Sequence, residues 1–337
     1  MGPTLRKGER GKRKEQPLTS YRLPLKRSLL ALLVLISISG VCRAEITLAL
    51  NKSFIRNYRD RATMTTNFHV DHYPDNARPH SISRSGNDGD IHMAGRDSVF
   101  KLPLVAEIMN AKLAQTAIDR LMQTIPAQAI SITGVWRLWF EHPGHTNQIQ
   151  GANVPTPTSP NPDHLAEIHP ITKFSGIDVL NTFAEIKNTA TPPKIYEAYD
   201  AETAFPYYEG LQCTIKASNT AIMIASPKSI YNYAEFYIEL AGNPKEVSDG
   251  YLVLANVYRS ASDEEDALNA APRRLVFVKN TEPANRLLSL PEGGRLHVLG
   301  VPRINLAEVY LIAQQNGATE VSVNLPYEMI IAAVLPE

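Results

Sequence analysis

The sequence predicts a mostly β chain with minor α, in two parts. Three observations predict it. Short runs of alternating polarity, rich in β-branched and aromatic residues, recur along the chain. The 24 prolines and 18 glycines break the chain too often for long helices. In the first half the elements fall in the order strand, strand, strand, helix, strand, strand. A five-stranded barrel with one helix between its third and fourth strands is the OB arrangement. The expectation is therefore an OB-like barrel at 45–188, a linker at 189–193, and a second β-rich, small-barrel-like domain at 194–337. A length of 337 residues suits two domains, and 44% hydrophobic residues suits a packed core.

The first 44 residues read as a signal peptide. A long basic segment precedes the apolar run Ser28–Val41, and Cys42-Arg43-Ala44 supplies small residues for cleavage after Ala44. The run is shorter than the ~20 residues a spanning helix needs. Export through the Sec route to a periplasmic or extracellular location is expected. Membrane attachment is expected only through an uncleaved leader.

The leader also hides the charge of the rest. It holds ten of the 34 basic residues and two of the 34 acidic ones, leaving 24 against 32, or −8. A generic nucleic-acid binder needs the opposite sign to displace counterions from phosphates. Beyond the leader only Cys213 remains, so no intramolecular disulfide is expected. Its alternating surroundings mark it as a small strand residue.

In chain order, Thr63 to His72 is a strand rich in Thr, Phe and Val. Asp75 to Gly89 is turn-forming, and Asp90 to Ala94 is a short strand. Leu102 to Met109 is a third strand with Pro103 at its start. Ala114, Ile118, Leu121 and Met122 recur at helical spacing, and Pro126 ends that helix. Ala129 to Glu141 is a long strand whose Gly134 fits a tight bend. Leu165 to Thr172 is the last strand. Between these two runs a Pro-rich loop from Gln148 to His164, in the position that lines the binding face of such barrels.

Strand alternation collects the candidate site. Asp90 and His92 share a face, as do Glu167 and His169. Arg137, Trp139 and Glu141 share another, with His142 opposite. Asp90, His92, Glu167 and His169 have the chemistry of a divalent-metal site or of acid–base groups. Arg137, Trp139, Glu141 and His142 are the candidate ligand-binding residues, with one tryptophan available for stacking. The competing reading is structural: carboxylates fixing buried histidines, and ion pairs with Arg137 setting strand register.

Asn87-Asp-Gly-Asp-Ile-His92, Val105-Ala-Glu-Ile108, the Gly134 strand ending near Glu141-His-Pro-Gly144, and Glu167-Ile-His-Pro170 together resemble a pattern of uncharacterised exported bacterial proteins with an OB-like domain. The resemblance covers the first domain and implies no activity. Asp88-Gly89-Asp90 is also similar to the Asp-Gly-Asp of thermonuclease-like OB nucleases. That family continues with Thr and a later Asp-Thr-Pro-Glu. Here Ile91 follows, and only Gly176-Ile-Asp178 is loosely similar, so no nuclease residues carry over.

After the linker Thr189-Ala-Thr-Pro-Pro193, strand-like runs recur at 211–216, 221–225, 234–240, 251–258, 274–279, 295–299, 309–313, 321–325 and 329–334. Ser262 to Ala270 reads as an acidic turn of helix. No phosphate loop or nucleophile elbow appears, and no sequence repeat relates the halves. The sequence thus leads first to an exported binding or assembly module, with an oligosaccharide or an envelope protein as ligand. A metal-dependent, phosphodiesterase-like hydrolase is the alternative, and a purely structural envelope protein the third reading.

Overall fold

A computed structural model describes residues 45–73, 78–82, 87–262 and 266–336. The expected leader lies outside them. Strand β1 (Ile46–Asn51) and helix α1 (Lys52–Tyr58) lead into a first barrel. Its elements are β2 (Thr63–His72), β3 (Ile91–Asp97), β4 (Leu104–Ile108), α2 (Gln115–Met122) and β5 (Gln128–His142). The two-residue β6 (Gln148–Ile149) interrupts the connection to β7 (His164–Phe174), and β8 (Ile177–Asp178) folds back on β7. Next come β9 (Tyr199–Asp200), α3 (Ala201–Gly210), β10 (Gln212–Ala217) and β11 (Ala221–Ser226). The second barrel contains β12 (Ala234–Leu240), β13 (Lys245–Val247), β14 (Gly250–Tyr258), β15 (Arg273–Val278), α4 (Glu282–Leu288) and β16 (Arg295–Ile304). Helix α5 (Leu306–Asn316), β17 (Val321–Asn324) and β18 (Tyr327–Val334) complete the chain.

The first barrel closes in the order β2, β3, β4, β7, β5 and back to β2. Only β4–β7 is parallel. Numbered within the barrel, that order is 1-2-3-5-4, with α2 between the third and fourth strands, so the expected OB-like barrel is present. The second barrel repeats it. β12, β14, β15, β18 and β16 close in the same order, β15–β18 is again the parallel pair, and α4 occupies the place of α2. The halves therefore share a topology that the sequence alone does not reveal.

Two short matches survive beneath this repeat. Gly134-Val-Trp-Arg137 on β5 corresponds to Gly300-Val-Pro-Arg303 on β16. Arg137 lies opposite Glu167 on β7, as Arg303 lies opposite Glu328 on β18. A Cβ on Gly134 would sit 2.7 Å from the Pro170 carbonyl oxygen, and one on Gly300 would sit 2.9 Å from the Phe236 ring. Both glycines allow a close approach inside a small barrel. The barrels meet through the same residues: Arg137 Nε donates to the Pro302 carbonyl at 2.9 Å, and Arg303 donates to the Trp136 carbonyl at 2.9 Å. Each arginine thus reaches the carbonyl of the residue preceding the other.

A third sheet runs β17-β10-β11-β1-β6. β1 pairs along its whole length with β11, so strands from both sides of residues 189–193 share one sheet. The expected division there is bridged, and the described residues form one compact unit. Cys213 is buried in β10, where burial pushes its thiol up to about 12. Residues 309–313, expected as a strand, belong to α5. Asn305 caps that helix by accepting from the Ala307 and Glu308 amides, and Leu306, Val309 and Ala313 bury one face. Of the expected helical turn at 262–270, residues 263–265 lie outside the described residues, and the rest is not helical.

Candidate metal centre

Four neighbouring strands of the first barrel, β3, β4, β7 and β5, carry a band of ionisable side chains. His92 on β3 lies opposite Glu107 on β4, and Arg137 on β5 lies opposite Glu167 on β7. Because β4 also pairs with β7, Glu107 falls beside His169. The turn before β3 adds Asp88 and Asp90, and His80 reaches the same place.

Two groups emerge. In the first, His80 Nδ1 is 2.9 Å from Asp90 Oδ1, and His92 Nε2 is 3.1 Å from Asp90 Oδ2. In the second, His164 Nε2 is 3.1 Å from Glu167 Oε1, with Glu107 within reach of both. Glu107 joins the groups: Oε1 is 3.2 Å from His92 Nε2, and Oε2 is 2.6 Å from His169 Nδ1. Asp90, Glu107, His164, Glu167 and His169 are buried, whereas the His80 side chain is 39% exposed. The band is thus closed below and open at His80.

Several contacts are those of groups aimed at a shared point. His169 Nδ1 and Asp90 Oδ1 are buried and make no aligned hydrogen bond, despite their short distances to Glu107 and His80. His164 Nδ1 faces the Pro162 carbonyl at 2.7 Å. A carbonyl only accepts, so the ring proton sits on Nδ1. Nε2 is hydrogen-bonded to the Glu167 carboxylate at 3.1 Å, and since a carboxylate also accepts, this contact calls for a proton or a cation between them. A backbone carbonyl fixing the far nitrogen is the usual support of a metal-binding imidazole. His169 is held likewise by the Tyr233 hydroxyl, 2.7 Å from Nε2.

The electrostatics follow from burial opposed by neighbours. Burial works to raise Asp90, yet His92 and His80 hold it well below the usual carboxylate range. Burial likewise opposes the lowering of Glu107 by His169 and His92, and of Glu167 by Arg137 and His164. Burial lowers His92, but Glu107 and Asp90 raise it further. The same contest leaves His169 at about 10, through Glu107 and Glu167. Asp88 differs: burial and the adjacent Asp90 both push its carboxyl well above the usual range.

Asp90, His92, Glu167 and His169, the metal candidates read from sequence, are all here. The ligand-face candidates have other places. Arg137 is buried, pairs with Glu167, and holds Glu141 at 2.9 Å. Trp139 is inside the core, 5.9 Å from the Tyr208 ring, and offers no stacking surface. Alternation misleads because both faces of β5 are covered and its ladder slips register at Gly134 and beyond Leu138. His142 is half-buried and stacks on His164 at 5.2 Å. The Pro-rich loop does line a groove of ≈ 540 Å³, with Asn153, Thr156 and Asp163 facing Gly95 and Leu104.

Sequence reasoning missed Glu107, His164, His80, Asp88 and Tyr233 as members of the band. Glu107 left a signal, as the one charge in the apolar run Leu104–Ile108. Tyr233 left none, since it arrives from beyond the first barrel.

The second barrel supplies an internal control. Leu252 lies opposite Val276, as His92 lies opposite Glu107, and Val276 pairs with Ile330 at the position of His169. All three are buried and apolar. Of that band the second barrel keeps the Arg–Glu pair, Arg303 with Glu328, to which Arg274 adds a second contact at 2.8 Å. Comparison with protein-family models, curated proteins and solved structures finds no match.

Proposed function

We propose that the protein is an exported, metal-dependent hydrolase, with its ion in the first barrel and the second barrel as scaffold. The carrying observation is the convergence of His80, Asp90 and His92 at a solvent-open edge, in a band that the second barrel replaces with apolar residues. Two imidazoles and one carboxylate with an open side suit a catalytic ion that retains a water, whereas structural sites are closed by four protein ligands. Such an ion lowers the pKa of its water. Asp88, raised by burial and Asp90, suits a proton carrier beside it. The groove under the Pro-rich loop is lined by none of His80, Asp90 and His92, and supports a separate role in ligand binding. The leader supports export.

Elemental mass spectrometry and a screen of phosphodiester and carboxylester substrates test the reading. Stoichiometric metal and hydrolysis are expected in the parent protein. Both should be lost in a still-folded His92→Ala variant. A parent without metal after dialysis against zinc, manganese and calcium would leave the band as barrel structure.

A further inference from the structure

We infer that the first barrel holds two divalent ions bridged by Glu107, an extension that rests on the metal reading above. His80, Asp90 and His92 form one ligand set, and Glu107, His164 and Glu167 form the other. Each places its ligand atoms within 4.8 Å of one another, so each can close on its own ion. The two sets are not independent. The Glu107 carboxylate points its oxygens in opposite senses, Oε1 to His92 and Oε2 to His169, which itself lies 3.6 Å from Glu167 Oε2. A carboxylate that belongs to the inner set, with one oxygen against His92 of the outer set and the other turned to His169 beside Glu167, is placed to bridge a two-ion centre. Hydrogen-bonding duty alone does not account for it, since His169 Nδ1 approaches Oε2 out of line.

The two positions differ in access. The His80 set opens to solvent, and the His164 set is sealed, with His164 and Glu167 almost wholly buried. The inner ion is therefore the slower to exchange, and the outer one meets substrate. Three buried carboxylates, Asp90, Glu107 and Glu167, converge here against Arg137 and against imidazoles whose protons an ion would displace. Both ions are held by hard oxygen and imidazole donors, which suits zinc or manganese.

Titration of the metal-stripped full chain with Zn²⁺, read by calorimetry and elemental analysis, tests this. Two ions per chain are expected, binding with different affinities. His80→Ala, at a half-exposed position, should remove one and leave the slowly exchanging ion. His164→Gln should remove the other. Glu107→Gln should weaken both, with a folded far-ultraviolet spectrum and an unchanged groove. Loaded with Mn²⁺, the parent should give an exchange-coupled paramagnetic spectrum. One ion per chain, or two uncoupled ions indifferent to Glu107→Gln, overturns the bridge while leaving a metal protein. No bound ion overturns both readings. Should Glu107→Gln fail to fold, the Mn²⁺ spectrum of the parent decides alone.

Discussion

Imidazoles in this chain do different work according to what faces them. His92 and His169 face carboxylates inside the barrel wall, whereas His297 on β16 sits near the surface, stacked 4.2 Å from the Tyr237 ring. Burial lowers His297, but the Glu235 hydrogen bond at 2.8 Å and the Pro336 carbonyl win and raise it. A raised folded value means the folded state holds the proton more tightly. The stability this provides is complete below the unfolded value of 6.5 and is lost as pH rises through the folded value. Thermal unfolding of His297→Gln should therefore fall short of the parent below the unfolded value, with the gap closing as pH rises through the folded one. A gap independent of pH would assign the loss to the stacking contact. Half of the ionisable band was legible at this scale, because Asp90/His92 and Glu167/His169 each announce themselves by alternation. Glu107 and His164 needed strand register, which single residues do not carry.

The strands of the first barrel were legible because each buries apolar residues at a short period between turn-forming residues. Residues 309–313 were not, since Val309 and Ile312 have strand propensity while the Asn305 cap and tertiary burial decide for helix. The placement of Trp139 failed at the same scale. Alternation assumes one solvated face, and β5 is covered on both. Gly134, expected at a tight bend, sits where the β5–β7 register shifts and the two strands approach closely. Its missing side chain leaves room for Pro170 and Ile168 from β7, whose Ile168 Cγ2 would lie 2.5 Å from an added Cβ. Gly134→Ala must push backbone as well as side chain, and a cost of ~1–3 kcal/mol is expected in denaturant unfolding. A neutral result would show that β5 and β7 can slide apart without loss.

Shared strands and the reciprocal arginines make the two halves one folding unit. A fragment of residues 45–193 would lose β11, the full-length partner of β1, and with it the bridge between the halves. It would also lose Pro302, leaving Arg137 Nε without its acceptor, and Arg303, whose guanidinium lies 3.5 Å above the Trp136 ring. In the opposite fragment Arg303 would lose the carbonyls of Arg61, Ala62 and Trp136. A buried charge left with fewer partners is strongly destabilising. None of these contacts is local in sequence, so the bridge stayed hidden while the barrels themselves could be read. The intact protein should therefore unfold in one transition, with tryptophan fluorescence and far-ultraviolet circular dichroism coincident. The 45–193 fragment should show no cooperative transition of its own. If it unfolds cooperatively at the parent's midpoint, the first barrel is autonomous, and the second contributes nothing to its stability, the Tyr233 contact to His169 included.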